Sequence, residues 1–299
     1  MKILVPIDGS KHAKAAVDFI ASRTTLIGAN PEVELLNVQL PVPPRAARMV
    51  GKQAVNSYYE EEAGKILKPA LATLKKAGLA ATARWVVGHP SEEIAAVADK
   101  DKVDLIVMGS AGHGALAGLM LGSVANGVLS RTTKPILLLR EKHVVSGDAL
   151  NVGIAVDGSK YGRAAVRYVL RHPDLFGANA KFTLIHVVPD FAGAVMPDMA
   201  GMAMPAFTDE EIRAMQKKSF ETAVAPTQRL LAKGGITAAE VCLAGNPGDE
   251  ISAYAKKKKL DLLVMGSHGL GRFKRAVLGS VATRVAAHCE TPILLVRQA

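Results

Sequence analysis

Two short segments rich in glycine and serine share a spacing that suits the binding of a phosphate group. The first is GSAG at 109–112, followed after nine residues by GS at 122–123. The second is GSHG at 266–269, followed after nine residues by GS at 279–280. Glycines let the chain turn with positive φ and let backbone N–H groups approach an anion. A Gly-Ser pair that opens a helix adds the free N–H groups and the dipole of the helix N-terminus.

Each segment also has a simpler interpretation. Gly109 could end a strand, and Ser123 could be an ordinary helix N-cap. The pattern, however, occurs twice, each time after an apolar run and before a helical pattern, and each copy is preceded by a DGS turn at 8–10 or 157–159. This repetition favours a phosphate cradle in each copy.

The two segments belong to a repeat that covers the whole chain of 299 residues. KILVPIDGSK at 2–11 matches NVGIAVDGSK at 151–160, and the segment from Gly88 matches the one from Gly245. We therefore predict two domains, 1–146 and 147–299. The offset between copies grows by eight residues, which places an insertion in the Met-rich segment 189–207. We interpret it as a surface insertion; the alternative is a partner surface or a lid over a site.

Each copy alternates strand and helix patterns. In the first copy the patterns predict strands over 3–7, 32–38, 81–87, 104–109 and 135–140, the one over 81–87 from its alternation. Helices are predicted over 11–27, 52–77, 92–101 and 123–132. This alternation indicates an α/β fold with a five-stranded parallel sheet flanked by helices in each copy. Ligands of such open sheets bind at the carboxyl ends of the strands, where the DGS turns and both cradles are expected.

With these motifs the sequence resembles the tandem members of the universal stress protein family, over essentially its whole length. The resemblance rests on VPIDGS and IAVDGS, VDLIVMGSAGHG and LDLLVMGSHGLG, LGSVA twice, and the closing PILLLR and PILLVR. It implies two Rossmann-like domains of the adenine nucleotide alpha hydrolase-like type. It also implies ATP binding by the G-x2-G-x9-G-[ST] motif, and a role in stress response through nucleotide-dependent conformational change or partner binding.

The same resemblance implies roles for individual residues. Asp8 and Asp157 would lie near the ribose or a bound metal ion, which we expect to be Mg²⁺. The other residues expected around the nucleotide are Pro6, Val38, Met108, Gly109, Gly112, Gly122, Ser123 and Val124 in the first half, and Val156, Val187, Met265, Gly266, Gly269, Gly279, Ser280 and Val281 in the second.

The two cradles differ in charge between their glycines. HGALAGLML at 113–121 has no full positive charge, whereas LGRFKRAVL at 270–278 carries Arg272, Lys274 and Arg275. Because triphosphate is strongly anionic, we predict tighter ATP binding in the second half. The alternative is that these cations are merely solvated.

Other functions remain open alternatives. The sequence has no G-x4-G-K-[ST] motif and no G-x-S-x-G motif, which excludes a P-loop NTPase and an α/β-hydrolase. His113 and His268 lack an evident triad partner, so we interpret them as loop or ligand-contact residues and assign no catalytic residue. The alternatives are a weak ATPase or nucleotidyl-transfer enzyme, with at most slow hydrolysis, and an interaction module with degenerate sites.

Composition and charge limit the partners and the cellular location that we expect. The net charge is +10, but the basic residues are dispersed apart from a run at 256–259, so we expect no nucleic-acid partner. No apolar run is long enough to span a membrane, and the two cysteines form no metal-binding motif; we expect a cytoplasmic protein. The resemblance implies that the tandem halves imitate a dimer within one chain, through 135–140 and 292–297. Whether two chains then form a homodimer, and which protein partner is bound, stay open.

Overall fold

The computed structural model describes residues 1–110, 121–140, 149–190, 195–197, 203–205, 207–269 and 278–297. The first half contains β1 (Lys2–Pro6), α1 (Lys11–Ala21), α2 (Thr24–Ala29), β2 (Glu32–Gln39), α3 (Pro44–Lys76), β3 (Ala81–Val87), α4 (Pro90–Lys100), β4 (Leu105–Gly109), α5 (Ser123–Arg131) and β5 (Ile136–Leu139). The second half contains β6 (Asn151–Ala155), α6 (Lys160–Arg171), a 3₁₀ turn (Pro173–Leu175), β7 (Lys181–Val188), β8 (Val195–Pro197), β9 (Ala203–Pro205), α7 (Asp209–Lys233), β10 (Ala238–Ala244), α8 (Pro247–Lys257), β11 (Leu262–Gly266), α9 (Ser280–His288) and β12 (Ile293–Val296).

Ten strands form one sheet in the order β10-β7-β6-β11-β12-β5-β4-β1-β2-β3. Within each half the five strands pair in parallel, as predicted. The halves meet at β5 and β12, which pair antiparallel with Leu294 opposite Leu137. The predicted contact through 135–140 and 292–297 is therefore present, and it merges two sheets into one.

Helices cover both faces of this sheet because its strands carry apolar side chains in both directions. Along β1, Ile3 and Val5 belong to one buried cluster and Leu4 to another. The first cluster includes residues of α1, α3, α6 and α7, and the second includes residues of α4, α5, α8 and α9. Such strands, buried on both faces, are typical of parallel sheets.

Two predicted helices differ from the structure. The predicted helix over 11–27 is divided into α1 and α2, and at the division the Ser22 hydroxyl donates to the Phe19 carbonyl at 2.8 Å. The predicted helix over 52–77 is preceded by further helical residues from Pro44, joined to it by a kink at Gly51 with φ 82° and ψ 158°. Only glycine adopts that conformation readily, so the predicted start marks the kink rather than the first helical residue.

Two short strands within the Met-rich insertion, β8 and β9, pair antiparallel. Much of 189–207, and the join predicted near 141–150, lie outside the described residues. None of the described helices combines the length and apolar character needed to cross a membrane.

Candidate functional site

A cavity of about 280 Å³ opens at the carboxyl ends of β6, β7 and β11 in the second half. This volume lies close to the lower end of the range of roughly 300–1,000 Å³ that is typical of ligand pockets. The segment 270–277 follows the lining residue Gly269 in the sequence and lies outside the described residues. It contains the cations Arg272, Lys274 and Arg275.

All nine residues predicted for the second half line this one cavity: Val156, Asp157, Val187, Met265, Gly266, Gly269, Gly279, Ser280 and Val281. Val187 and Met265 lie in the same buried cluster, and Val281 packs against it. The cavity thus has an apolar side, formed by these side chains, and a polar side, formed by Asp157 and the glycine segments.

The DGS turn after β6 fixes the position of Asp157. Its Oδ1 accepts the backbone N–H of Ser159 at 3.0 Å, and Gly158 takes φ 77° to make the turn. The Ser159 hydroxyl then accepts the N–H groups of Tyr161 and Gly162 at 3.1 and 3.2 Å, which caps α6. The carboxylate is thereby held at the cavity wall, where it can accept hydrogen bonds from a ligand.

The glycines of the cradle are needed for close approach rather than for positive φ. A Cβ on Gly266 would lie 2.7 Å from the Cβ of Tyr161, and one on Gly269 would lie 2.7 Å from Oδ2 of Asp157. The described residues with positive φ do not include either glycine, nor Gly109, Gly122 and Gly279. The expectation of positive φ in the cradle is therefore wrong for these positions. It applies to the glycines of the DGS turns, Gly9 and Gly158.

The serine after β11 joins the strand end to the start of α9. The N–H of Ser267 donates to Val296 at 2.9 Å, and its carbonyl accepts the N–H of Gly279 at 2.8 Å. Gly279, with φ −63° and ψ 154°, is the N-cap of α9 and provides no capping side chain. The first N–H groups of α9 are directed toward the cavity end of the helix and suit an anion.

Two histidines line the cavity, and sequence reasoning identified only one as a contact residue. Nδ1 of His268 lies 2.9 Å from the Ser267 hydroxyl, and its ring lies 5.1 Å from that of Tyr161. His186 was missed. Its Nδ1 lies 2.8 Å from the Val156 carbonyl and must carry the proton, since a carbonyl only accepts.

Six other lining residues were missed, because no role was assigned to Ala155 and Ala282 within their motifs IAVDGS and LGSVA and the other four lie outside the quoted motifs. They are Ala155, Gly162, Ile185, Pro247, Ile251 and Ala282. The order of the strands in the sheet brings these residues together, and that order was not part of the sequence-based prediction. The apolar run around Ile185 was a usable signal, because it includes the predicted Val187.

Comparison with protein families identifies the chain. The model of the universal stress protein family matches residues 1–140 and again residues 150–297. The chain belongs to the universal stress protein family. A universal stress protein of Mycolicibacterium smegmatis is 26% identical over 306 residues, covering 99% of this chain and 96% of that protein. One from Methanocaldococcus jannaschii is 31% identical over 157 residues, covering 48% of this chain and 96% of that protein.

A solved universal stress protein from Archaeoglobus fulgidus has the same fold. Its TM-score is 0.68 at 20% sequence identity, with 100% of this chain and 96% of that chain covered. The tandem α/β architecture, with a mostly parallel sheet flanked by helices, is thus found in another universal stress protein.

The first universal stress protein half repeats the arrangement with different side chains. The structure places Pro6, Asp8, Val38, Met108, Gly109, Gly122, Ser123 and Val124 at the carboxyl ends of β1, β2 and β4 and at the start of α5. Asp8 Oδ1 accepts the Ser10 N–H at 2.9 Å, and Ser110 accepts the Gly122 N–H at 2.8 Å. Gly112 and His113 lie outside the described residues.

Proposed function

We propose that this chain binds ATP in the second-half cavity and acts in stress response through nucleotide-dependent conformational change or partner binding. One observation carries the proposal. The nine residues that the family resemblance implies for the second half line a single cavity with an apolar side and a helix N-terminus. An adenine base and a phosphate chain require these two environments in one site.

The geometry suggests how the nucleotide lies. The base packs against the apolar side chains of Val187, Met265 and Ile251. The ribose hydroxyls donate to the Asp157 carboxylate, which the DGS turn holds in place. The phosphates accept the first N–H groups of α9, beginning beyond Gly279. Hydrogen bonds to a charged group contribute about 1.5–3 kcal/mol each, so a few of them suffice for micromolar affinity.

We expect Mg²⁺ to bind together with the phosphates of the nucleotide. The part of the chain that the structure describes holds no group of three or more His, Cys, Asp or Glu side chains that could bind a metal ion. Mg²⁺ often uses only one or two carboxylates together with substrate phosphates, and Asp157 lies at the cavity wall as one such carboxylate.

We also propose that the second-half site binds ATP more tightly than the first. The segment 270–278 carries three cations, and its counterpart 113–121 carries none apart from a histidine. Moreover, His268 lines the second cavity at a position where the first half has Ala111.

The first test is to denature a sample of the purified protein and identify any released nucleotide by mass spectrometry, and to titrate a nucleotide-free sample with ATP and Mg²⁺ by calorimetry. Two matched variants separate the sites: Gly279→Trp blocks the second, and Gly122→Trp blocks the first. We expect Gly279→Trp to remove the tighter binding event. Equal losses in both variants would refute the asymmetry, and absence of heat up to millimolar ATP would refute nucleotide binding.

The alternative of a weak ATPase or nucleotidyl-transfer enzyme makes a separate prediction. Steady ATP turnover that Asp157→Ala abolishes would favour it. A single bound ATP that remains intact over hours would favour a binding role.

A further inference from the structure

Two arginines reach across the seam between the halves. Arg140 follows β5 directly, and Arg297 follows β12. Leu138 pairs with Ile293, and β5 and β12 run antiparallel. Arg140, two residues after Leu138, therefore lies opposite Thr291, which comes just after the end of α9. The antiparallel pairing therefore brings each arginine to the C-terminal end of a helix in the opposite half.

Both arginines donate to backbone carbonyls at those helix ends. Nη2 of Arg140 donates to the carbonyl of Ala286 in α9. Nη1 of Arg297 donates to the carbonyl of Leu129 in α5, and to that of Thr132 at 2.6 Å. Ala286 and Leu129 occupy the same position in the two copies, since 286 − 129 equals the repeat offset of 157.

These contacts satisfy groups that the helices leave without partners. The last four carbonyls of a helix have no intrahelical donor, and a cation near them interacts favourably with the helix dipole. Arg297 is 7% exposed, and burial lowers the pKa of its guanidinium and that of Arg140. Both cations are thus withdrawn from water, which strengthens their hold on the carbonyls.

The opposite ends of the same two helices form the cradles. α5 and α9 each have nine residues, so each is about 13 Å long. Gly122 is the N-cap of α5 and Gly279 that of α9, and the phosphates are proposed to bind at these helix starts. A shift of the arginine end of such a short, rigid helix moves its N–H groups at the other end.

We propose that Arg140 and Arg297 are positioning residues, each of which holds the phosphate-binding helix of the opposite half, so that neither nucleotide site is complete without the other half. The inference rests on the proposed function. Arg140 has a second contact, from Nη1 to the hydroxyl of Ser110 at 3.2 Å, and so links its own cradle to α9.

The decisive experiment measures the second-half site alone, in the Gly122→Trp background. Into it we introduce Arg140→Met, Arg140→Lys and, as a matched control, Arg131→Met. Arg131 is an exposed arginine of the same half whose ion pair, at 3.3 Å, is with Glu92 of that half. ATP and adenosine are titrated against each protein by calorimetry, and thermal unfolding is followed in parallel.

We expect Arg140→Met to weaken ATP binding by about three- to tenfold while adenosine binding changes less than twofold, because the N–H groups at the start of α9 are proposed to bind the phosphates, which adenosine lacks. Arg140→Lys should recover part of the loss, and Arg131→Met should bind ATP as its parent does. Equal losses for ATP and adenosine, or unchanged ATP affinity, would overturn the inference.

The reciprocal variant guards against a folding defect. Arg297→Met in the Gly279→Trp background should weaken ATP binding at the first-half site in the same phosphate-dependent way. If the parent proteins bind no ATP, the proposed function itself fails. If they bind ATP and neither arginine variant differs from its parent, only the positioning role fails.

Discussion

Replacing Gly266 with alanine tests how closely α6 approaches the end of β11. The added Cβ would lie 2.7 Å from the Cβ, 2.8 Å from the carbonyl carbon and 2.9 Å from the oxygen of Tyr161. Non-bonded carbon atoms prefer about 3.5–4.0 Å, so the helix must move away by roughly 1 Å. Because part of this obstacle is backbone, side-chain rotation cannot remove it. Overpacking of this kind costs about 1–3 kcal/mol.

Gly64→Ala is the matched control. Gly64 lies within α3, and an added Cβ would meet only the Lys68 side chain at 3.6 Å, an ordinary contact. Alanine in a helix interior gains about 1 kcal/mol over glycine, so the two variants should differ by about 2–4 kcal/mol in the free energy of unfolding. Urea unfolding followed by circular dichroism measures this difference. Equal stability of the two variants would refute the close approach of α6.

Three further predictions concern stability. Leu294→Ala, at a fully buried position opposite Leu137 in the seam, should cost about 2–5 kcal/mol in urea unfolding, and an unchanged midpoint would contradict a packed seam. Thr208→Ala removes the capping box at the start of α7 and should cost about 1 kcal/mol, with faster amide exchange in its first turn; unchanged exchange would contradict the cap. Burial lowers the pKa of His172 in the folded protein below its usual 6.5. The unfolded chain therefore binds the proton more readily, so Tm should fall as the pH drops from 7 through 6.5 toward the pKa of His172 in the folded protein. His172→Gln should flatten this dependence, and an unchanged slope would refute it.

Much of the fold could be predicted because the central strands, such as β4 and β5, are continuous apolar runs, and the helices carry apolar residues at helical spacing. The strand predicted over 104–109 corresponds to β4, and the prediction is one residue too long. The helix predicted over 92–101 corresponds to α4, which begins two residues earlier in the structure. The division between α1 and α2 was not predicted, and one contact of α2 lies in the other half. There, Thr25 of α2 donates to the carbonyl of Asp174 at 2.6 Å.

The site was predicted where a motif carries it and missed where only the strand order does. Gly266 and Gly279 stand at fixed spacing in both copies, so repetition made them visible. His186 and Ile251 come from segments without a motif, and they reach the cavity only because β7 lies beside β6 and α8 covers that face. The role of Arg140 depends on the antiparallel register of β5 and β12, which the expected contact through 135–140 and 292–297 did not specify.

The covalent joining of the halves lets their two sites diverge independently. In a dimer of identical subunits every substitution appears in both sites at once. Here His12 stands where the other half has Tyr161, and Asn37 where it has His186. The amide of Asn37 donates to Ile7 at 2.9 Å, so one structural hydrogen bond is kept with a different chemical group. A single gene can therefore retain one ancestral pocket while the second pocket acquires a new ligand preference. Because both pockets belong to one chain, they are always produced in equal numbers.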